Sequence, residues 1–377
     1  MKLKQSRAFI ALMVSIVSGG ALSCGSSAGT GNDNLANATG MTIVNATKAD
    51  DFSTSGNVNI GFVATDSSGN AILAQNTSGT PLRVAIDNIV VRSANAADGD
   101  ITCSISSAFS TTITCTFASI ATVSATTGTG SWALDIDSSG SMSGSDPSCL
   151  RVTASNSFYD ELEADSASNQ VAAYDFTTDS SLDATGCTGA RATWAATTGF
   201  TDTSELLDWS ATTSANNAAF SSAVATVGDG AGTPLYDSMT EVCTDMATNS
   251  SITSGNSKYI LLLSDGDDSG GGSSSLADLN SCLSTNDITA YVIGLGSGAI
   301  DSVLQSIADA NGGLYRPVSA ASELAEVFAA FATAVNGGYN NATVTLSVHD
   351  STVTGVEITI TISIDGTSAT DTVTITL

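Results

Sequence analysis

Basic residues are scarce in this chain. Ten lysines and arginines stand against 37 aspartates and glutamates, and the formal net charge is −27. A protein this acidic repels the phosphate backbone of DNA and RNA, so we expect no nucleic-acid partner. The acidic residues form no single block, which is typical of a solvated surface and not of an acidic tail.

The sequence also lacks the common catalytic motifs. Its only histidine, His349, lies in a C-terminal strand pattern, and no serine elbow accompanies it to suggest a Ser-His-Asp triad. There is no Gly-x-x-x-x-Gly-Lys loop for a nucleotide and no Cys-x-x-Cys pair for zinc or redox chemistry. We therefore expect a protein that is not an enzyme.

Long apolar runs are missing everywhere except near the N-terminus. Three basic residues precede an apolar stretch over 8–17, and Ala-Leu-Ser-Cys closes it at 21–24. This pattern predicts a secretory signal peptide over 1–23. No other stretch is long and apolar enough to span a bilayer.

Cys24 follows the small residues directly, and this arrangement resembles a bacterial lipobox. The resemblance implies cleavage before Cys24 and lipidation of that cysteine. The alternative is an ordinary signal peptide in which Cys24 is incidental. Gly25 in the next position resembles an outer-membrane address of Gram-negative lipoproteins. Residues 24–40 then form a flexible tether, and the predicted location is the cell envelope, lipid-anchored at the outer membrane.

A polar motif follows an apolar run in the middle of the chain. Residues 132–142 read Trp-Ala-Leu-Asp-Ile-Asp-Ser-Ser-Gly-Ser-Met, in which Asp137 is followed by Ser139 and Ser141. Gly140 between the two serines gives the loop backbone freedom. Carboxylate and hydroxyl oxygens are hard ligands, which suit Mg²⁺ or Ca²⁺ better than copper or zinc.

Two further motifs follow in order. Gly-Thr-Pro-Leu-Tyr-Asp at 232–237 places Thr233 before a proline that can begin a helix. Tyr-Ile-Leu-Leu-Leu-Ser-Asp-Gly-Asp-Asp at 259–268 ends a second apolar run at Asp265. Each motif alone is an ordinary turn or helix start, and the signal lies in all three together.

In this order the motifs resemble the metal-ion-dependent adhesion site of von Willebrand factor type A (vWA) domains. The resemblance implies that Ser139, Ser141 and Thr233 contact a divalent cation directly. Mg²⁺ is expected, with Ca²⁺ or Mn²⁺ as alternatives. It also implies that Asp137 and Asp265 bind the ion mainly through water. Mg²⁺ takes six oxygens, so a position stays open, and we expect the Asp or Glu carboxylate of a partner protein to fill it.

Apolar runs alternate with helical patterns through 128–337. This order predicts an α/β domain with a doubly wound parallel sheet, the Rossmann-like fold of a vWA domain, with the cation beyond the carboxyl ends of the strands. Asp135 departs from the family pattern, because its strand position is usually apolar. It is either a buried, paired acid or part of an exposed strand, and we place it outside the metal site.

The flanking segments alternate apolar and polar residues, which predicts strands with one buried face. The 338–377 segment has room for about three strands, too few for a stable sheet alone. It therefore favours a single immunoglobulin-like sandwich that 41–127 and 338–377 build together, with the vWA domain inserted between them. Two separate small β modules are the alternative.

Six cysteines besides Cys24 predict disulfides in an exported protein. Cys103 and Cys115 occupy the apolar faces of two alternating strands, so we expect them to meet across a hairpin. The other four allow three pairings, of which Cys149–Cys187 and Cys243–Cys282 close the shorter loops.

Two functions fit these observations. The first is adhesion or ligand capture, in which a partner carboxylate completes the coordination of the cation. The second is a scaffold or assembly factor of an envelope complex, in which the domain organises subunits. Metal-dependent hydrolysis would require turnover that vanishes when Asp137 is replaced by alanine.

Lipidation of Cys24 can be tested by cell fractionation. We expect Cys24→Ser to release the protein from membranes, because the tether offers no other attachment. Ser26→Ala, two residues further on, should fractionate like the wild type. A Cys24→Ser protein that stays with the membranes at wild-type levels would show that this cysteine is not the anchor.

Overall fold

The computed structural model describes the backbone of residues 40–48, 56–65, 71–73, 83–93, 101–103, 113–123, 129–178, 187, 194–266, 268–269, 272–296, 301–348, 353–364 and 367–376. The predicted signal peptide, Cys24 and almost all of the tether lie outside this range, as does His349. Within it, no helix is both long enough and apolar enough to cross a membrane.

Strands flank a central α/β segment on both sides. Before it lie β1 (Gly40–Lys48), β2 (Asn57–Thr65), β3 (Ala71–Ile72), β4 (Arg83–Ser93), β5 (Ile101–Cys103) and β6 (Ile113–Val123). The central segment contains β7 (Gly130–Asp137), α1 (Met142–Ser145), α2 (Leu150–Asp165), β8 (Gln170–Phe176), β9 (Thr203–Ala211), α3 (Ser214–Val224), α4 (Leu235–Thr248), β10 (Ser257–Ser264), α5 (Leu276–Thr285), β11 (Ile288–Leu295), α6 (Asp301–Ala310), β12 (Tyr315–Val318) and α7 (Leu324–Gly337). After it lie β13 (Tyr339–Val348), β14 (Val353–Ile364) and β15 (Thr367–Thr376).

The central sheet has the strand order β12-β11-β10-β7-β8-β9. Its strands alternate apolar residues toward both faces. In β7, for example, Trp132, Leu134 and Ile136 pack on one side and Ala133 on the other. Helices α2, α3 and α7 cover the first face, and α4, α5 and α6 cover the second. The predicted α/β layering, with helices on both sides of the sheet, is therefore confirmed.

One edge of this sheet differs from the prediction. The five strands from β12 to β8 are parallel, but β9 pairs antiparallel with β8, so the expectation of an entirely parallel sheet is wrong there. The β8–β9 register shifts twice, and Leu206 and Leu207 are neighbours in β9. These irregularities interrupt the period-two alternation by which a strand is found in a sequence.

The flanking strands form two antiparallel sheets, each built from both ends of the chain. In one, β13 lies between β2 and β6, with β1 beyond β2 and β3 also on β2. In the other, β14 lies between β15 and β4, with β5 beyond β4. The C-terminal strands thus complete sheets that the N-terminal strands begin. An immunoglobulin-like stacking of the two sheets stays a prediction.

The structure joins Cys149 to Cys187 and Cys243 to Cys282, the two pairings preferred from the sequence. The expected hairpin around Cys103 and Cys115 is not formed. Strand β5 pairs with β4, and β6 pairs with β13 in the other sheet. Alternation within each strand indicates which face is buried but not which strand is its partner, so two strands that are close in sequence can pair with different neighbours. The side chains of both cysteines lie outside the described residues, so a bond between them stays a prediction.

Candidate functional site

Two carboxylates stand at the same edge of the central sheet. Asp137 is the last residue of β7, and Asp265 follows the last residue of β10, the strand parallel to it. Both side chains are buried. Because the carboxyl ends of neighbouring parallel strands meet at one edge, the fold brings together two acids that are 128 positions apart in the sequence.

Hydroxyl groups connect the two acids. The Ser139 amide donates to Asp137 Oδ1 at 2.7 Å, and the Ser139 and Ser141 hydroxyl oxygens lie 2.9 Å apart. The Ser141 hydroxyl donates to Asp265 Oδ1 at 2.6 Å. Four of the five predicted ligands therefore form one continuous chain of contacts.

Thr233, the fifth predicted ligand, reaches this edge from the loop before α4. Its side chain is buried, and a Cβ placed on Gly266 would lie 3.6 Å from the Thr233 hydroxyl oxygen. Its carbonyl accepts the Ser269 amide at 2.9 Å. Thr233 thus borders the loop that carries Asp265. We call the five residues together the Asp137 site.

The electrostatics of the Asp137 site favour a cation. Burial and, after it, the negative charge of Asp265 together raise the pKa of Asp137 to about 6, although hydrogen bonds from Ser139 and Ser264 oppose part of the rise. A divalent ion would compensate both carboxylates. The donors are all carboxylate or hydroxyl oxygens, which fit Mg²⁺, Ca²⁺ or Mn²⁺. Among the described residues, no three His, Cys, Asp or Glu side chains cluster in a way that could hold a metal ion.

Sequence reasoning missed two serines that touch the acids. The Ser264 hydroxyl donates to Asp137 Oδ2 at 2.6 Å, and the Ser145 hydroxyl donates to Asp265 Oδ2. Ser264 lies within the 259–268 motif, directly before Asp265, and Ser145 comes four residues after Ser141. Their polar character in a chain rich in serine was not distinctive.

A buried arginine connects two loops near the site through ion pairs and hydrogen bonds. Arg151, fully buried in α2, forms ion pairs with Asp146 at 3.2 Å and with Asp229 at 2.7 Å. It also donates to the Gly228 carbonyl at 3.1 Å. Asp146 in turn accepts the backbone amides of Leu150 and Arg151, which satisfies donors at the start of α2. The Cys149–Cys187 disulfide lies beside Arg151, since an Arg151 nitrogen is 3.6 Å from Cys187 Sγ.

Backbone hydrogen bonds connect the loop that contains Ser139 and Ser141 with the segment after Asp229. The Gly230 amide donates to the Ser138 carbonyl at 2.6 Å, and the Gly140 amide donates to the Ala231 carbonyl at 2.9 Å. A Cβ on Gly140 would lie only 2.8 Å from the Gly230 carbonyl oxygen. Gly140 is not among the glycines with positive φ. It is therefore required for close approach of two loops and not for a left-handed backbone, which corrects the reason inferred from the sequence.

Asp135 is a buried acid outside the Asp137 site. Its side chain is fully buried and accepts the Ser238 hydroxyl at 3.1 Å, which rules out the exposed-strand alternative. Burial raises its pKa well above the ordinary value, while the bond from Ser238 opposes the rise. It points to the face of the sheet that α4 covers, and it contacts that helix through Ser238.

Among the comparisons with known proteins, only the search of solved structures found similar proteins. No family model matches the sequence, and no curated protein matches it. A von Willebrand factor type A protein from Catenulispora acidiphila is 13% identical with a TM-score of 0.42, over 91% of this chain and 74% of that protein. Mussel byssus proximal thread matrix protein 1, in a structure with a zinc-occupied adhesion motif, is 14% identical with a TM-score of 0.41, over 60% of this chain. The pilus adhesin SpaC from Lactobacillus rhamnosus GG is 14% identical with a TM-score of 0.41, over 88% of this chain.

This chain spans 50% of the thread matrix protein and 37% of SpaC. At these identities and TM-scores the likenesses carry no argument about function. An argument about function therefore rests on the residues and contacts of the Asp137 site.

The close packing of Gly140 against Gly230 can be tested by substitution. Gly140→Ala should weaken Mg²⁺ binding at least tenfold in calorimetric titration, because the added methyl group pushes the Ser139–Ser141 segment away from Gly230. Gly144→Ala is the matched control, since a Cβ at Gly144 meets no atom within 4 Å. Equal Mg²⁺ affinities for the two variants would show that the close approach does not position the hydroxyls.

Proposed function

We propose that this chain is a lipid-anchored binding protein of the bacterial cell envelope that captures a partner protein through a divalent cation at the Asp137 site. One observation carries the proposal. Two buried acids, with no positive side chain bonded to either among the described residues, meet at the carboxyl edge of a mostly parallel sheet and are linked by the hydroxyls of Ser139 and Ser141. Neighbouring acids of this kind are stabilised by a positive ion.

The residues of the site have distinct parts in this proposal. Ser139, Ser141 and Thr233 would hold the ion with neutral oxygens, and Asp137 and Asp265 would supply negative charge around it. A bound Mg²⁺ ion would offer a coordination position that an acidic side chain of the partner can fill. Ser264 and Ser145 orient the two carboxylates by donating to their second oxygens. Binding of this kind requires no general base or nucleophile, so we propose no enzymatic activity.

The partner is a protein that presents an aspartate or glutamate at its surface. Ser141 is exposed while Ser139 is buried, so the site opens to solvent on the Ser141 side. A carboxylate that approaches from that side would meet the hydroxyls before the buried acids. The cell-envelope location rests on the signal-like N-terminus and on Cys24, and the bonded cysteine pairs are consistent with an oxidising compartment.

The cation is tested by removing its hydroxyl ligands. Ser139→Ala combined with Ser141→Ala should abolish Mg²⁺ binding by the full-length protein in calorimetric titration. The free energy of unfolding should change by about 1–2 kcal/mol, since two hydrogen bonds and little packing are lost. The control pair is Ser222→Ala with Ser284→Ala, exposed serines that bond only carbonyls of their own helices. Mn²⁺, Ca²⁺ and Zn²⁺ are titrated in parallel. Undiminished affinity in the first pair would refute the assignment of these ligands.

Capture of the partner is tested with a chelator. Envelope proteins that bind the immobilised full-length chain should dissociate when EDTA is added and rebind when Mg²⁺ is restored. Ser139→Ala with Ser141→Ala should capture none of them, and the control pair should capture all. If capture is indifferent to EDTA, the cation is structural, and the scaffold alternative explains the domain better.

A further inference from the structure

A second candidate site lies at the edge of the central sheet opposite to the Asp137 site. A cavity of about 540 Å³ opens there, where β10 and β11 begin, α7 ends and β13 starts. This volume is typical of small-molecule sites. Tyr259, near the start of β10, lines the cavity, and Asp265 directly follows the end of the same strand. The extended strand between them places the cavity about 20 Å from the Asp137 site.

The part of the cavity wall on the first face of the sheet is uncharged among the described residues. Tyr259 and Tyr291 pack in the core on that face, and Thr289 is the register partner of Tyr259. Lys258 also borders the cavity, but it alternates to the second face, where its own register partner in β11 is packed. Asp287 is exposed, so solvent screens its charge. This wall therefore favours an uncharged ligand.

Three tyrosine hydroxyls lie close together on this wall. The rings of Tyr259 and Tyr291 are buried, with centroids 5.8 Å apart, and both stack on Trp132, which fixes their positions. Burial raises the pKa of Tyr291, and the proximity of Tyr259 and Tyr339 raises it further, so all three phenol groups are neighbours. None of the three hydroxyls bonds to a described residue, and none is an enclosed polar atom without a partner. Each hydroxyl is therefore accessible to a ligand in the cavity.

Apolar side chains complete the same wall. Leu314, Ala334 and Val335 line the cavity and belong to the core on the first face of the sheet. Val123, at the end of β6, borders the cavity as well. Among the described residues, it is the one large apolar side chain that is exposed. A ligand in this cavity would thus meet hydroxyl groups and hydrocarbon surface together.

These two kinds of surface restrict the chemistry of the ligand. A purely apolar ligand would remove water from the phenol groups without replacing their hydrogen bonds, which lowers affinity. An ion would lose its own hydration and find no opposite charge on this wall. The hydroxyls of a saccharide both donate and accept, as those of tyrosine do. The C–H groups of a sugar ring can also cover apolar side chains.

We propose that this cavity binds a neutral saccharide, held by the hydroxyls of Tyr259, Tyr291 and Tyr339 and by contact of the sugar ring with Leu314 and Val335. The site is independent of the cation proposed at the other edge of the sheet. Tyr339 is the first residue of β13, which belongs to the first flanking sheet. The saccharide would therefore contact both the α/β layer and the start of that sheet.

The test is calorimetric titration of the full-length protein with maltose, cellobiose and N,N′-diacetylchitobiose at millimolar concentration. Cyclohexanol, which has a single hydroxyl, and gluconate, which is charged, are the comparison compounds. We expect at least one saccharide to bind and neither comparison compound to bind. Tyr259→Phe with Tyr291→Phe should weaken saccharide binding at least tenfold, because two hydroxyls are lost and both rings are kept. Lys258→Met and EDTA should have no effect.

Tyr159→Phe is the matched control, because it removes a hydroxyl that bonds the Thr213 carbonyl, outside the cavity lining. Thermal unfolding of each variant shows whether it is folded. If the Tyr259 and Tyr291 pair unfolds, Thr289→Val removes a hydroxyl from the same wall with little change of shape, and it should also weaken binding. Three results would overturn the proposal: no saccharide binds, a comparison compound binds as tightly as the saccharide, or the folded cavity variants bind it like Tyr159→Phe.

Discussion

The repulsion between Asp137 and Asp265 is the constraint on which the arrangement of the site depends. Both carboxylates are buried at the ends of adjacent parallel strands, and no positive side chain is bonded to either one among the described residues. Such a pair has to bind a proton or a cation, or else lower the stability of the fold. The serine hydroxyls provide partial compensation, and an ion of charge two would provide the rest. The chemistry of the site follows from this imbalance.

Contacts among the surrounding loops fix the positions of the two carboxylates. Arg151 neutralises Asp146 and Asp229, whereas no positive side chain is bonded to Asp137 or Asp265 among the described residues. Removing one partner of such a buried pair costs about 3–5 kcal/mol. The Cys149–Cys187 bond and the close contact of Gly140 with Gly230 fix the same loops. Arg151 therefore stabilises these loops without adding positive charge to Asp137 or Asp265.

Most residues of the Asp137 site could be predicted from the sequence, but several of the contacts that position them could not. Asp137, Ser139, Ser141 and Asp265 lie at or just after the ends of two apolar runs of strand length, so their convergence at one sheet edge could be predicted. Strand β9 could not, because its register shifts erase the alternation. The partners of β5 and β6 depend on contacts between distant segments, which local patterns do not encode. The role of Arg151 could not be predicted either, because Asp146 and Asp229 meet only in the folded chain.

We propose that a divalent ion lies among the hydroxyls of Ser139, Ser141 and Thr233, with Asp137 and Asp265 behind them. A crystal of the full-length protein grown with Mn²⁺, measured at a wavelength where manganese scatters anomalously, tests it directly. We expect one strong anomalous peak within coordination distance of the Ser139 and Ser141 hydroxyls, and we expect its loss in crystals of the double alanine variant. A peak elsewhere with none at this site, or an unchanged peak in the variant, would show that these hydroxyls do not bind the ion.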